Sequence, residues 1–238
     1  MPFVVINMKA SSIVLRSTIN IPIVILIYAL ALMICISPQK PDFSILLGIP
    51  PFYISGDIDY LLLGRWLVLV CTPLTVNGII MERASYVETF SVVRFRNEFQ
   101  YKKCIVGASF INVTIWAVLY VISGIVYLNS SEIILFSLVV VSSYLMWTVI
   151  GAVLYFFFGK ESSSGVVVVL LVGGTYLLSE RIPWISKFMP SIWGMVCRTS
   201  TYEENGCAAL YFVVMNLILM VVGVFCLYWR EKNNKHKP

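Results

Sequence analysis

Hydrophobic and polar positions divide the chain into long uncharged stretches separated by short charged ones. A helix rises about 1.5 Å per residue and satisfies its own backbone, so crossing a hydrocarbon core about 30 Å thick takes roughly 20 apolar residues. Residues 17–39, 104–131 and 133–159 carry no charged side chain and contain runs such as Ile23 to Met33 and Leu135 to Val141. Residues 205–229 have the same character and lead into Trp229 and Arg230, an aromatic and basic pair suited to headgroup depth. Residues 66–81 and 162–179 are shorter, with Pro73 and Asn77 interrupting the first and Gly173 and Gly174 the second. Both still count as spans, the first starting near Ile58 with Arg65 snorkelling outward. The pattern therefore predicts an all-α integral membrane protein of six transmembrane helices, forming one transmembrane domain over residues 1–238.

Charge sets the predicted orientation. With a cytoplasmic N-terminus and six spans, the inner side holds Lys9, Arg16, Arg83, Arg94, Arg96, Lys102, Lys103, Lys160, Arg230, Lys232, Lys235 and Lys237. The outer side and its rim hold only Lys40, Arg65, Arg181, Lys187 and Arg198. That excess places both termini in the cytoplasm. The net charge of +5 is then an orientation signal and an attraction to membrane lipid; no basic domain exists to hold a nucleic acid. Residues 17–39 are too long for a usual signal-peptide core and are followed by five further spans, so they read as a retained first helix. Residues 2–16, with Phe3, Ile6, Ile13 and Val14 among polar neighbours, suit the inner membrane surface.

Several chemistries are excluded by what the chain lacks. Its single histidine, His236, lies in the basic tail, so no intramembrane metal site, histidine relay or Ser/His/Asp triad can be assembled. No phosphate-binding loop exists: Gly159-Lys160-Glu161-Ser162 has the wrong order and no glycine-rich approach. The third and fourth spans contain no carboxylate to couple an ion. The chain itself is thus expected to hold no catalytic site, metal or cofactor. Cys35, Cys71, Cys104 and Cys226 read as small buried apolar side chains, whereas Cys197 and Cys207 share one outer region where a disulfide is an open alternative to two thiols. Ser142, Ser143 and Gly151 in the fourth span allow close helix approach, and Asn77, Asn112 and Asn216 are mid-span amides that either tie helices together or face a translocation route.

Two polar interruptions stand out. Residues 82–103 form the one sizeable charged stretch between spans on the inner side. Tyr86, Val87, Phe90 and Val93 share one helical face and Phe95 and Phe99 another, which predicts two short helices meeting near Arg94. On the outer side, residues 180–205 carry Trp184, Ile185, Phe188, Met189, Ile192, Trp193 and Met195, too apolar for an open loop, while Pro183 and Pro190 forbid a span. Short broken helices dipping into the outer interface fit both facts. Residues 38–57 are a smaller version.

The size, the six spans, Arg16 ahead of the first helix and the segment MERASYVETFSVVRFRNEFQYKK after the second resemble the permease subunits of type 2 ATP-binding cassette (ABC) exporters, of the bacteriocin and lantibiotic export or immunity type. The most specific part is Glu82 at the end of the second span followed by Val92-Val93-Arg94-Phe95, then Tyr101, Lys102 and Lys103 leading into the third; where members often carry a small polar residue, Arg96-Asn97 stands here. The resemblance implies a coupling helix seated in a cleft of a cytoplasmic ABC ATPase subunit. Glu82, Arg83, Tyr86, Glu88, Phe90, Val93, Arg94 and Tyr101 would make those contacts. It also implies two ATPase copies that bind ATP and Mg, a second permease copy or a sister permease, re-entrant outer helices between the fifth and sixth spans, and a place in the bacterial plasma membrane. An aromatic outer surface and an uncharged interior favour an amphipathic or lipid-like cargo such as an antimicrobial peptide. Trp184, Phe188, Trp193, Asn77, Asn112 and Asn216 are then the candidate substrate or outer-gate residues. Two other classes stay open: a membrane immunity protein that binds a toxin without transport, and an ATP-independent transporter or channel.

Overall fold

The structure, a computed structural model, describes residues 8–36, 43–49, 60–86, 98–125, 130–158, 165–198 and 209–234. Among these, every regular element is helical. Seven α-helices run α1 Met8–Thr18, α2 Ile21–Cys35, α3 Tyr60–Tyr86, α4 Glu98–Ile125, α5 Ser130–Phe158, α6 Gly165–Arg181 and α7 Ala209–Asn234. Short 3-10 turns occupy Phe43–Leu47, Pro183–Phe188 and Ile192–Gly194.

Helices α3, α4, α5 and α7 are long and apolar enough to cross a membrane, and α1 with α2 adds a fifth if that pair, bent by 73°, is one broken span. These are the proportions of a multi-pass membrane protein. Of the six expected spans, those at α2 and α6 fall short of a full crossing by length alone, for two physical reasons. Asn20 and Pro22 start a new helix, so α2 has only 15 residues, and α1 turns away from it rather than extending it. Helix α6 has 17 residues, about 26 Å of rise, slightly less than a hydrocarbon core.

The charged stretch expected to separate the second and third spans begins and ends as helix. Helix α3 runs on through Glu82 and Arg83 to Tyr86, and α4 begins at Glu98, so Tyr101, Lys102 and Lys103 belong to its first turns. A helical backbone bonds to itself and needs no apolar side chains, so a span continues beyond the lipid until something stops it. The expected pair of short helices near Arg94 lies at positions 87–97, outside the described residues.

Helix α3 is the central strut, packed against α2, α4 and α6, while α5 packs on α4 and α7. Antiparallel neighbours are fixed by bonds near their ends. The Cys35 thiol donates to the Arg65 carbonyl at 3.1 Å, joining the end of α2 to the start of α3. The Tyr101 hydroxyl donates to the Ala84 carbonyl at 2.8 Å, joining the end of α3 to the start of α4. At mid-height Trp116 is fully buried, edge-on to Tyr28 with ring centroids 4.8 Å apart, and Tyr120 stacks on Phe136 at 5.8 Å. The outward faces of α2 and α7 remain apolar and exposed, as lipid contact requires: Leu26, Met33, Val221 and Phe225 are examples.

The turn at 43–49 buries Ile45, Leu46 and Ile49 rather than lying on the surface. It is held in place by Gly48, whose φ of +106° suits only glycine and where an added Cβ would stand 2.7 Å from the Cβ of Met195. Replacing Gly48 with alanine should cost about 1–3 kcal/mol of stability. Gly64→Ala on α3, where nothing lies within 4 Å of the new methyl, should hold or raise it. Thermal unfolding in detergent compares the two; equal midpoints would contradict the interlock.

Candidate functional site

The interior is organised by side chains that answer backbone carbonyls a helix cannot satisfy. Pro73 has no N–H, so the Leu69 carbonyl, one turn earlier on α3, loses its helical partner. The hydroxyl of Tyr144 on α5 donates to it at 3.2 Å. Beside that break a polar ladder crosses four helices. The Tyr28 hydroxyl donates to Asn112 Oδ1 at 2.8 Å, and Asn112 Nδ2 donates to Asn77 Oδ1 at 2.9 Å and to the Pro73 carbonyl at 3.4 Å. Asn77 Nδ2 reaches Thr148 Oγ1 at 3.5 Å, and that hydroxyl donates to the Tyr144 carbonyl at 2.8 Å. Tyr28, Asn77, Asn112 and Thr148 are all buried. The amides of α3 and α4 therefore tie helices together here, the first of their two expected roles.

A second assembly closes the end of the bundle at which α6 finishes. After α6 the chain makes two 3-10 turns that pass between helices. Trp193 and Met195 are buried, and Gly194 lies so close to Ser143 on α5 that a Cβ there would meet its hydroxyl at 2.6 Å. Asn216, about two turns into α7, donates to the Trp193 carbonyl at 3.2 Å and to Ser142 Oγ at 3.1 Å. Trp193 Nε1 donates to the Lys187 carbonyl at 2.8 Å, so this segment also carries its own internal brace. The turn at 43–49 meets it from the other side, with the Tyr120 hydroxyl donating to the Leu46 carbonyl at 2.8 Å.

Arg198 is the clasp. Its Nε donates to the Ile49 carbonyl at 2.7 Å, its Nη2 pairs with Glu180 at the end of α6, and its guanidinium lies 5.7 Å from the Tyr176 ring centre. Arg198 is 1% exposed and Glu180 4%. A buried guanidinium needs both charge and hydrogen-bond partners, and these contacts supply them. Arg198 was counted among outer rim charges by the sequence pattern; its seat is inside the protein. Burial also pushes the Cys197 thiol up to about 12, with the adjacent guanidinium pulling the other way, so a reduced Cys197 stays protonated near neutral pH. Cys207 lies outside the described residues, and so does any pairing with it.

The remaining expected site residues divide by position. Trp184 and Phe188 are 77% and 51% exposed, facing away from the bundle, whereas Trp193 is buried inside it. Glu82, Arg83 and Tyr86 are exposed at the end of α3, and Tyr101 is buried beneath them. Glu88, Phe90, Val93 and Arg94 lie outside the described residues. Sequence reasoning missed Tyr28, Tyr144, Thr148 and the Glu180–Arg198 pair. For the last, the available signal was an arginine directly after the apolar run Trp193 to Cys197 with a carboxylate one segment earlier.

Between α3, α4, α5, α6 and the turns after α6 lies a cavity of about 20 Å³, lined by Trp66, Tyr120, Tyr144 and Gly194 among others. That is room for about one water. No protein family model, curated protein or solved structure matches the chain.

Arg198→Met alone should destabilise the protein by about 3–5 kcal/mol, because it strands the Glu180 carboxylate in the interior. The double variant Glu180→Met/Arg198→Met should recover a large part of that loss, though not all, since the Ile49 carbonyl still lacks its donor. A double-mutant cycle of thermal or denaturant unfolding in detergent checks this, and strictly additive losses would contradict the clasp.

Proposed function

We propose that the chain is the transmembrane permease subunit of a type 2 ABC exporter, working with a separate cytoplasmic ATPase. Its cargo is hydrophobic or amphipathic, an antimicrobial peptide or lipid-like molecule. In this reading α1 is an interfacial leader, and α2 to α7 are six spans with both termini inside. The observation that carries the reading is the build of the inner end of α3 and α4. Tyr101 clamps the two helices together through the Ala84 carbonyl, while Glu82, Arg83 and Tyr86 stand exposed beside the clamp. A docking element that passes on force needs a stiff base and an accessible tip, and this end has both. A push delivered between residues 87 and 97 would move α3 and α4 together. Through Arg83, whose Nη1 donates to the Thr18 carbonyl at 3.1 Å, it would reach α1 as well.

Within the docked surface, Tyr86, Phe90 and Val93 would form the apolar centre and Arg83, Glu88 and Arg94 the charged rim. ATP and Mg would be bound by the two ATPase subunits. The small size of the cavity among α3, α4, α5 and α6 supports a cargo route formed between two permease copies rather than through one. An apolar groove of about 770 Å³, lined by Val68, Thr72, Gly173 and Gly174 among others, runs between α3 and α6 with Ile27 of α2 at its edge, a face suited to a second copy or a sister permease. Trp184 and Phe188 would give an amphipathic cargo its first outer contacts. The same exposed pair also favours a second reading, a membrane immunity protein that captures a toxin without ATP.

Phe90→Ala and Arg94→Glu separate the two. Each should lower co-purification of the ATPase, and with it export or protection, by about 30-fold or more if these positions are interface hot spots, while the amount of permease in the membrane stays the same. Full protection with no ATPase captured from either variant or from wild type would favour the immunity reading instead.

A further inference from the structure

The bend between α1 and α2 has features that helix packing does not explain. An open cavity of about 500 Å³ lies there, lined by Arg16, Ser17, Thr18 and Asn20 and by Arg83 from the end of α3. Both arginines are exposed, and neither pairs with a described carboxylate. The bond from Arg83 Nη1 to the Thr18 carbonyl fixes that guanidinium at the cavity with further N–H donors left over. Helix α2 opens onto the same space without a cap. Asn20 makes no side-chain hydrogen bond to the first turn, and Pro22 in that turn has no N–H to satisfy. Two guanidinium groups, three small polar side chains and the positive end of a 15-residue helix thus converge on one opening.

We propose that this cavity binds the phosphate group of an anionic phospholipid. Guanidinium groups suit phosphate because their N–H pairs match its oxygens, and a helix start adds partial positive charge. The surroundings favour a lipid over a soluble phosphate. Helix α1 exposes Ile13 at 65% and α2 exposes Ile23 at 53%, so both arms of the bend offer apolar contact to acyl chains while the cavity itself is polar. A phosphate held there would bridge α1 to the end of α3 through Arg16 and Arg83, securing the bend from the lipid side. The site requires only that the chain sit in a membrane, and the test below contains no ATPase.

The test uses the full chain in nanodiscs of phosphatidylcholine carrying a trace of fluorescent phosphatidylglycerol, with retained lipid also counted by native mass spectrometry. Wild type should retain phosphatidylglycerol selectively. Arg16→Gln/Arg83→Gln should weaken that retention by about tenfold or more, and Arg16→Gln alone should weaken it in part. Arg16 makes no side-chain hydrogen bond or ion pair among the described residues, so its single variant keeps the result interpretable if the double variant misfolds. Lys232→Gln, at the exposed end of α7, should leave retention within about twofold of wild type. Unchanged retention in Arg16→Gln overturns the site, and so does an equal loss in Lys232→Gln, which would mark diffuse attraction to the leaflet. Displacement of the lipid by millimolar inorganic phosphate would assign the cavity to a soluble phosphate and overturn the lipid proposal.

Discussion

A carbonyl oxygen without a hydrogen in a medium that excludes water costs several kcal/mol, and the rest of the structure depends on avoiding that cost. Uninterrupted helices avoid it by themselves, but this chain interrupts its backbone at Pro73, in the turn at 43–49 and in the turns between α6 and α7. At these breaks a side chain from another element supplies a donor. Tyr144 serves Leu69, Tyr120 serves Leu46, Arg198 serves Ile49 and Asn216 serves Trp193. The same device holds helix ends, through Tyr101 on Ala84 and Cys35 on Arg65.

These donors make the two ends of the bundle different objects. At the end that carries the turns after α6, irregular backbone is drawn inward between α5, α6 and α7. The Glu180–Arg198 pair then fastens that backbone to the turn at 43–49. A buried ion pair is weak evidence for stability, because desolvation offsets much of its attraction; its worth here is in fixing which segments meet. At the opposite end, Tyr101 ties α4 to the Ala84 carbonyl of α3, and Glu82 and Arg83 are exposed beside that bond.

Legibility in the sequence followed the length scale of each signal. Long apolar runs gave α4, α5 and α7 within a few residues of their ends, because lipid and helix geometry leave little alternative. Helix α3 reaches 27 residues although Pro73, Asn77 and Glu82 argued for a shorter span. Its breaks are repaired by Tyr144 and Asn112, residues far away in the chain whose arrival nothing local announces. The break at Asn20 and Pro22 was written locally, yet the 73° turn it produces depends on α1 packing against α3 and α4. Among the candidate site residues, Trp184 and Phe188 are exposed, which the apolar run alone did not distinguish. Trp193, two residues beyond Ser191 in the same apolar segment, is buried, and only its neighbours in three dimensions decide which indole faces inward.

The amino-acid order by itself determined that this is a helical, multi-pass kind of chain with its charges gathered at span ends, since transfer of side chains from water to hydrocarbon is a property of each residue and sums along the sequence. Tertiary structure alone decided which amides pair, which arginine is buried and which carbonyls are answered. Hydrogen bonds and ion pairs join two groups, their partners here lie up to 149 positions apart, and only packing brings them within 3 Å.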